Sequence, residues 1–137
     1  MKIVGFNYTK VSAERVIKWQ PVKKINTNIQ FTDLIKDNAD TPKDIEVLRV
    51  MFKFDVAYEP KNANVSLEGY VFLGLSPNES KEAMKQWAKK KEVTEEIRNT
   101  VVKFIWKKCN LKSFQLEEEL NIPTHIQLPQ ISFKPKE

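Results

Sequence analysis

Cysteine occurs once in this chain, at Cys109, and histidine once, at His125. A lone thiol excludes an intramolecular disulfide framework, which makes a cytoplasmic location the expectation. One Cys and one His also fall short of the roughly four ligands, in paired spacing, that a zinc site needs. Glycine is nearly as scarce, and three isolated residues cannot form a phosphate-cradling loop. With seven prolines, they are too few for a linker-rich or low-complexity chain. No apolar run approaches the roughly 20 residues that span a bilayer, so membrane insertion is not expected. Residues 1–8 alternate in polarity and lack the apolar core of a secretory signal. With catalytic and ligand-holding groups this sparse, the residues argue for a binding or structural protein rather than an enzyme, with no cofactor.

What remains is ordinary for a soluble globular chain: 41% of residues are hydrophobic and 30% charged. A chain of 137 residues is near the common domain size. It buries roughly two-thirds of its unfolded surface, so residues 1–137 are expected to fold as one domain without a covalent staple. The net charge of +5 is mild. A basic balance suits RNA, DNA or an anionic membrane surface, but here the positive charges are spread along the chain. The densest run is Lys85, Lys89, Lys90 and Lys91, with Lys107 and Lys108 forming a smaller one. Both are expected on helix C-termini or exposed helix faces, where Lys complements the dipole. A nucleic-acid patch is the competing reading.

Two alternating runs in the middle of the chain carry most information. Residues 46–58 and 65–73 have period 2 and are rich in Val, Phe and Tyr, so each reads as a strand. The polar stretch Glu59-Pro60-Lys61-Asn62-Ala63-Asn64 between them reads as a hairpin turn. Facing Tyr58 with Val65 sets Val56 against Leu67, Phe52 against Val71 and Val50 against Leu73, all on one face. Gly69 then lies opposite Phe54 and makes room for its ring. The other face carries Arg49, Lys53, Asp55 and Glu68, but also Met51, Tyr70 and Phe72. Those three are read as an oligomer contact, a ligand or peptide groove, or simple exposure.

Residues 2–10 and 25–35 alternate in the same way and supply two further strands, with residues 11–24 of open topology and a loop at residues 37–42. The period then changes. Ser76-Pro77-Asn78-Glu79 is a capping box with Pro at the first helical position, so a helix is expected to about Lys91. Thr94, Glu95 and Glu96 start a second helix with an acidic first turn, and Asn110 is read as a possible break in it. Its apolar stripe, including Val101, Val102, Ile105 and Cys109, is wider than one sheet face requires. Burial on two sides follows, which makes those four an expected oligomer interface. Cys109 reads as a small core residue, His125 as a partly exposed or capping residue, and Glu117-Glu118-Glu119 as a solvated face. Residues 121–137 hold several prolines and read as an extended closing segment lying on the body. Strands followed by helices give an α+β fold: a four-stranded antiparallel sheet with two C-terminal helices on one face.

The order of these motifs resembles the SecB family of export chaperones, with its archaeal and toxin–antitoxin-associated relatives. Glu46-Val47-Leu48-Arg49-Val50 and the run after it resemble the family's third strand, and Leu67-Glu68-Gly69-Tyr70-Val71-Phe72 its fourth. Residues 98–109 resemble its long helix, and Leu128-Pro129-Gln130-Ile131-Ser132-Phe133 its closing segment. The resemblance implies this same four-strand, two-helix fold and a homodimer or homotetramer. It also implies ATP-independent binding of unfolded or nascent polypeptide clients in apolar surface grooves. On that basis Met51, Tyr70 and Phe72, with Phe6 and Trp19, are the expected peptide-binding or interface residues. The family's acidic balance and acidic tail are replaced here by a basic chain ending Lys134-Pro135-Lys136-Glu137, which argues against docking to SecA. Acidic or nascent clients, or a dedicated partner such as an antitoxin, suit a basic chain better. The alternative class is an RNA or single-strand binding module, basic and with aromatics on a sheet surface. Asp55 and Glu68 on that same surface would repel phosphate.

Overall fold

The computed structural model describes residues 1–37 and 44–127. The loop expected at 37–42 beyond Asp37 and the closing motif at 128–133 lie outside the described residues, as does the basic end that follows it. Four long strands come first: β1 (Lys2–Arg15), β2 (Lys24–Asp37), β3 (Glu46–Glu59) and β4 (Ala63–Leu75). Two helices follow, α1 (Pro77–Lys90) and α2 (Glu95–Leu120). The strands form one antiparallel sheet in the order β1-β4-β3-β2. Both helices lie on one face of it, α1 against β2 and β3 and α2 against β1 and β4. The α+β architecture is thus the one expected.

The central hairpin is tighter than its sequence suggests. Asn62 donates its N–H to the Tyr58 carbonyl at 2.9 Å, and Lys61 takes up a positive φ of 53°. Strand pairing therefore resumes at Ala63, opposite Tyr58, and the register moves by two residues from the expected one. Val56 faces Val65, Phe54 faces Leu67 and Phe52 faces Gly69. A shift of two leaves every side chain on its face, because the side-chain period of a strand is two. Gly69 makes room for backbone rather than for the Phe54 ring: a Cβ there would meet the Asn7 carbonyl oxygen of β1 at 2.3 Å.

β1 and β2 flank this hairpin, one on each side and each antiparallel to its neighbour, because residues 16–23 cross its turn. Val16 donates its N–H to the Asn62 carbonyl at 2.8 Å, and Lys23 donates to that of Glu59 at 3.0 Å. The buried Asn62 side chain closes the crossing, donating to the Gln20 carbonyl at 2.7 Å and accepting from the Gln20 N–H at 3.2 Å. Residues 11–15, left open by the sequence, complete β1.

α1 starts as its capping box requires. The Ser76 hydroxyl accepts from the Glu79 N–H, and the Glu79 carboxylate accepts from the Ser76 N–H at 3.0 Å. The Ser76 N–H, and its hydroxyl beside the carboxylate, hold the Glu79 carboxyl below its ordinary range. α2 starts at Thr94, whose hydroxyl accepts from Ile97. It does not break at Asn110 but continues to a left-handed cap at Asn121. Ile97, Val101, Ile105 and Cys109, spaced by four, form one fully buried stripe on the sheet. The opposing layer is Leu48, Val50, Phe52, Phe54, Leu67 and Val71, each worth roughly 1.5–3 kcal/mol of burial.

Candidate functional site on the outer sheet face

Alternation along β3 and β4 sends the even residues of β3 and the odd residues of β4 to the helices. The other set faces away from both helices. There Met51 lies directly opposite Tyr70, and Arg49 opposite Phe72. Tyr70 and Phe72 meet edge to face, with ring centroids 5.1 Å apart. The three apolar residues grouped from sequence therefore form one cluster, half-buried and uncovered by either helix.

Neighbouring strands hold the cluster in place. Phe72 lies across Gly5 of β1, where even a Cβ would sit 2.9 Å from the ring. Asn7 donates its side-chain amide to the Tyr70 hydroxyl at 3.2 Å. The Arg49 guanidinium covers both rings, with its carbon 5.0 Å from the Tyr70 centroid and 5.5 Å from that of Phe72. Arg49 Nε is buried and has no hydrogen-bond partner among the described residues. Sequence reasoning placed Arg49 on this face as one of its polar residues and missed its position over the rings. Part of the signal was available: in the expected register Met51 already faces Phe72 and Arg49 is diagonal to Phe72, whereas the Arg49 contact with Tyr70 needs the observed register. Further along, Lys10 pairs with Glu68 at 3.6 Å and Lys53 with Asp55 at 3.9 Å.

The remaining expected residues lie elsewhere. Phe6 pairs with Val71 on the helix side of the sheet, stacked on Phe52 at 5.7 Å and edge-on to Phe104 at 5.5 Å. Trp19 sits in the crossing segment, 6.2 Å from the Tyr58 ring and beneath the Arg15 guanidinium at 4.9 Å. Val101, Ile105 and Cys109 spend their whole surface inside the chain. Burial pushes the Cys109 thiol up to about 12, against a partial offset from a Tyr8 hydrogen bond. Val102 alone of that group stays half-exposed. It lines a cleft of about 440 Å³ beside the β2 edge with Ile29, Phe31, Trp87, Val93 and Arg98. The second apolar side of α2 consists of this cleft wall, Trp106 at 43% exposure and Leu111 at 54%.

Two polar expectations are corrected. The His125 side chain is fully buried, as is that of Glu117, and they pair at 2.7 Å through Nδ1 and Oε2. His125 Nε2 lies 2.7 Å from the Asn110 Oδ1. So Asn110 serves this contact instead of breaking the helix, and only Glu118 and Glu119 of the acidic run are solvated. The backbone N–H of His125 also donates to Glu117 at 3.0 Å, and the Tyr58 hydroxyl donates to the Pro123 carbonyl. These bonds clasp residues 121–127 to the core. Burial and the nearby Glu117 charge raise the Tyr58 hydroxyl well above its ordinary value.

Among the described residues no group of three acidic, His or Cys side chains converges as metal ligands would. No helix among them is long and apolar enough to cross a membrane. No protein-family model and no curated protein matches the chain. Among solved structures it is similar to a SecB-like chaperone of Mycobacterium tuberculosis, determined in complex with a ChAD peptide from an antitoxin. That likeness has 14% identity and a TM-score of 0.49, over 98% of this chain and 92% of the other.

Proposed function

We propose that this protein is an ATP-independent holding chaperone that binds unfolded or nascent polypeptide on the outer face of its sheet. The observation that carries the reading is the cluster of Met51, Tyr70 and Phe72 on a face that neither helix covers. Contiguous apolar surface left open on a soluble fold marks a place where something apolar docks. Methionine adapts its shape to varied partners, and aromatic rings supply large contact area with few rotatable bonds. Both suit clients that share no sequence. Among the described residues the two edge strands, each 14 residues long, leave one side without a strand partner, and an extended segment can bond there. The order of SecB-resembling motifs supports the same reading. Homodimer or homotetramer formation belongs to the proposal, with Trp106, Leu111 and the free strand edges as the surface a second copy would cover.

The test mixes the purified protein with a chemically unfolded client and follows light scattering at rising salt. Suppression of aggregation that survives salt, and is lost in a Tyr70→Ser, Phe72→Ser variant with unchanged circular dichroism, is the expected result. No suppression at any ratio would remove the reading, and suppression undiminished in the folded variant would move the client surface away from this face.

A further inference from the structure

We infer that Arg49 makes the outer face selective for extended segments that carry a carboxylate beside apolar residues. The inference rests on the outer face being the client surface, and it names which clients that surface prefers. Arg49 differs from Lys10 and Lys53 of this face in having no counter-charge among the described residues. Lys10 and Lys53 each have a carboxylate within 4 Å, at 3.6 and 3.9 Å. Among the described residues Arg49 has no ion pair, and its cross-strand neighbours are Ile35 and Phe72, both apolar. Of the two carboxylates diagonal to it on β2, Asp33 is turned back to accept from the Leu34 N–H at 2.8 Å, and Asp37 makes no ion pair among the described residues.

The Tyr70 and Phe72 rings satisfy the flat face of the guanidinium through cation–π attraction. They cannot satisfy its N–H groups, which donate in the plane of the fork. One of these, Nε–H, is buried with no acceptor among the described residues. The guanidinium also has no counter-ion among them, so a ligand that brings an acceptor to the fork gains charge-assisted hydrogen bonds there. A carboxylate fits best, because it accepts the fork in two parallel bonds and cancels the charge. The spacing along β3 supplies the second half of the preference. Arg49 and Met51 are two residues apart on one face. Side chains two apart on an extended segment share that spacing, roughly 7 Å. A segment running along β3 therefore sets its carboxylate on Arg49 and an apolar side chain two positions away on Met51 and the two rings.

The experiment titrates the full chain into short fluorescent peptides, identical except for a central Asp, Asn or Lys flanked by Leu and Phe at two-residue spacing. Anisotropy reads the affinity. The Asp peptide is expected to bind about tenfold more tightly than its Asn twin, the scale of a charge-assisted bond. The Lys peptide should bind most weakly. In Arg49→Met the Asp-to-Asn ratio should fall to near one, while Arg49→Lys, which keeps the charge and loses the fork, should retain part of it. Equal affinity of the wild-type chain for the Asp and Asn peptides would overturn the inference and leave the chaperone reading standing. No binding of any peptide would overturn both. An oligothymidine probe that binds more tightly than the Asp peptide, and weakens steeply with salt, would assign the face to nucleic acid and overturn the inference. If sedimentation shows the Asp peptide dissociating a dimer, the occupant is a second copy of the chain and the inference again fails. Should Arg49→Met not fold, the wild-type ratio and Arg49→Lys decide the matter.

Discussion

The two faces of β3 come from the same fourteen residues, taken alternately, and they are built to different ends. On the inner face Leu48, Val50, Phe52, Phe54 and Val56 are at most 1% exposed. Each meets an apolar partner across the sheet or from a helix. On the outer face Arg49, Met51, Lys53 and Asp55 stay half-buried, with no layer above them among the described residues. The inner face derives its stability from area removed from water, so its residues answer to volume and shape. The outer face keeps Met51, Tyr70 and Phe72 outside the core, and they are the group on which the proposed function rests.

The largest effect expected from breaking this contrast is on the inner face. Phe54→Ala should cost about 3–5 kcal/mol in a urea titration, because the cavity cannot collapse between β2, Leu67 and Trp106. Glu117→Ala should be of similar size, about 3–5 kcal/mol, since it leaves His125 buried beside a vacated carboxylate. Replacing both partners, Glu117→Met with His125→Leu, should recover most of that loss in the same titration; a double variant as unstable as the single would show that packing, not the pair, holds the clasp. On the outer face the order reverses. Tyr70→Ser with Phe72→Ser should cost only about 1–2 kcal/mol, since both rings are half-exposed, while suppression of client aggregation is lost. Equal loss of stability from the two faces would dissolve the contrast.

The smallest expected effect is one of pH. The Glu79 carboxyl is held below its ordinary range by the Ser76 N–H and hydroxyl. A carboxyl depressed in the folded state contributes its stability above the unfolded value and loses it as pH falls through the folded value. Thermal melts from neutral pH downward should therefore fall more steeply for the wild-type chain than for Glu79→Gln. Parallel curves would mean that the capping box forms without the charge.

Local signals were legible wherever neighbouring residues decide the outcome. Ser76 and Glu79 cap α1 as read, because a capping box is complete within four positions. The grouping of Met51, Tyr70 and Phe72 survived a register error of two, since only an odd slip exchanges faces. The misreadings share one cause. His125 beside Pro123 read as partly exposed and Glu117 as solvated, yet each is buried by the other. Asn110 read as a helix break, and a partner fifteen positions away gives it a place in the helix. The α2 stripe read as two-sided, but Val101, Ile105 and Cys109 all serve the inner side.

By itself the sequence determined the element types and the faces of the strands, because period and capping are properties of short stretches. Only the tertiary structure decided that β1 and β2 take opposite edges, since that depends on residues 16–23 crossing at Asn62. It alone decided that Arg49 lies over two rings, with its Nε unpartnered among the described residues. A buried donor is defined by what surrounds it in space, and residues 35, 49, 70 and 72 become neighbours only when three strands pair.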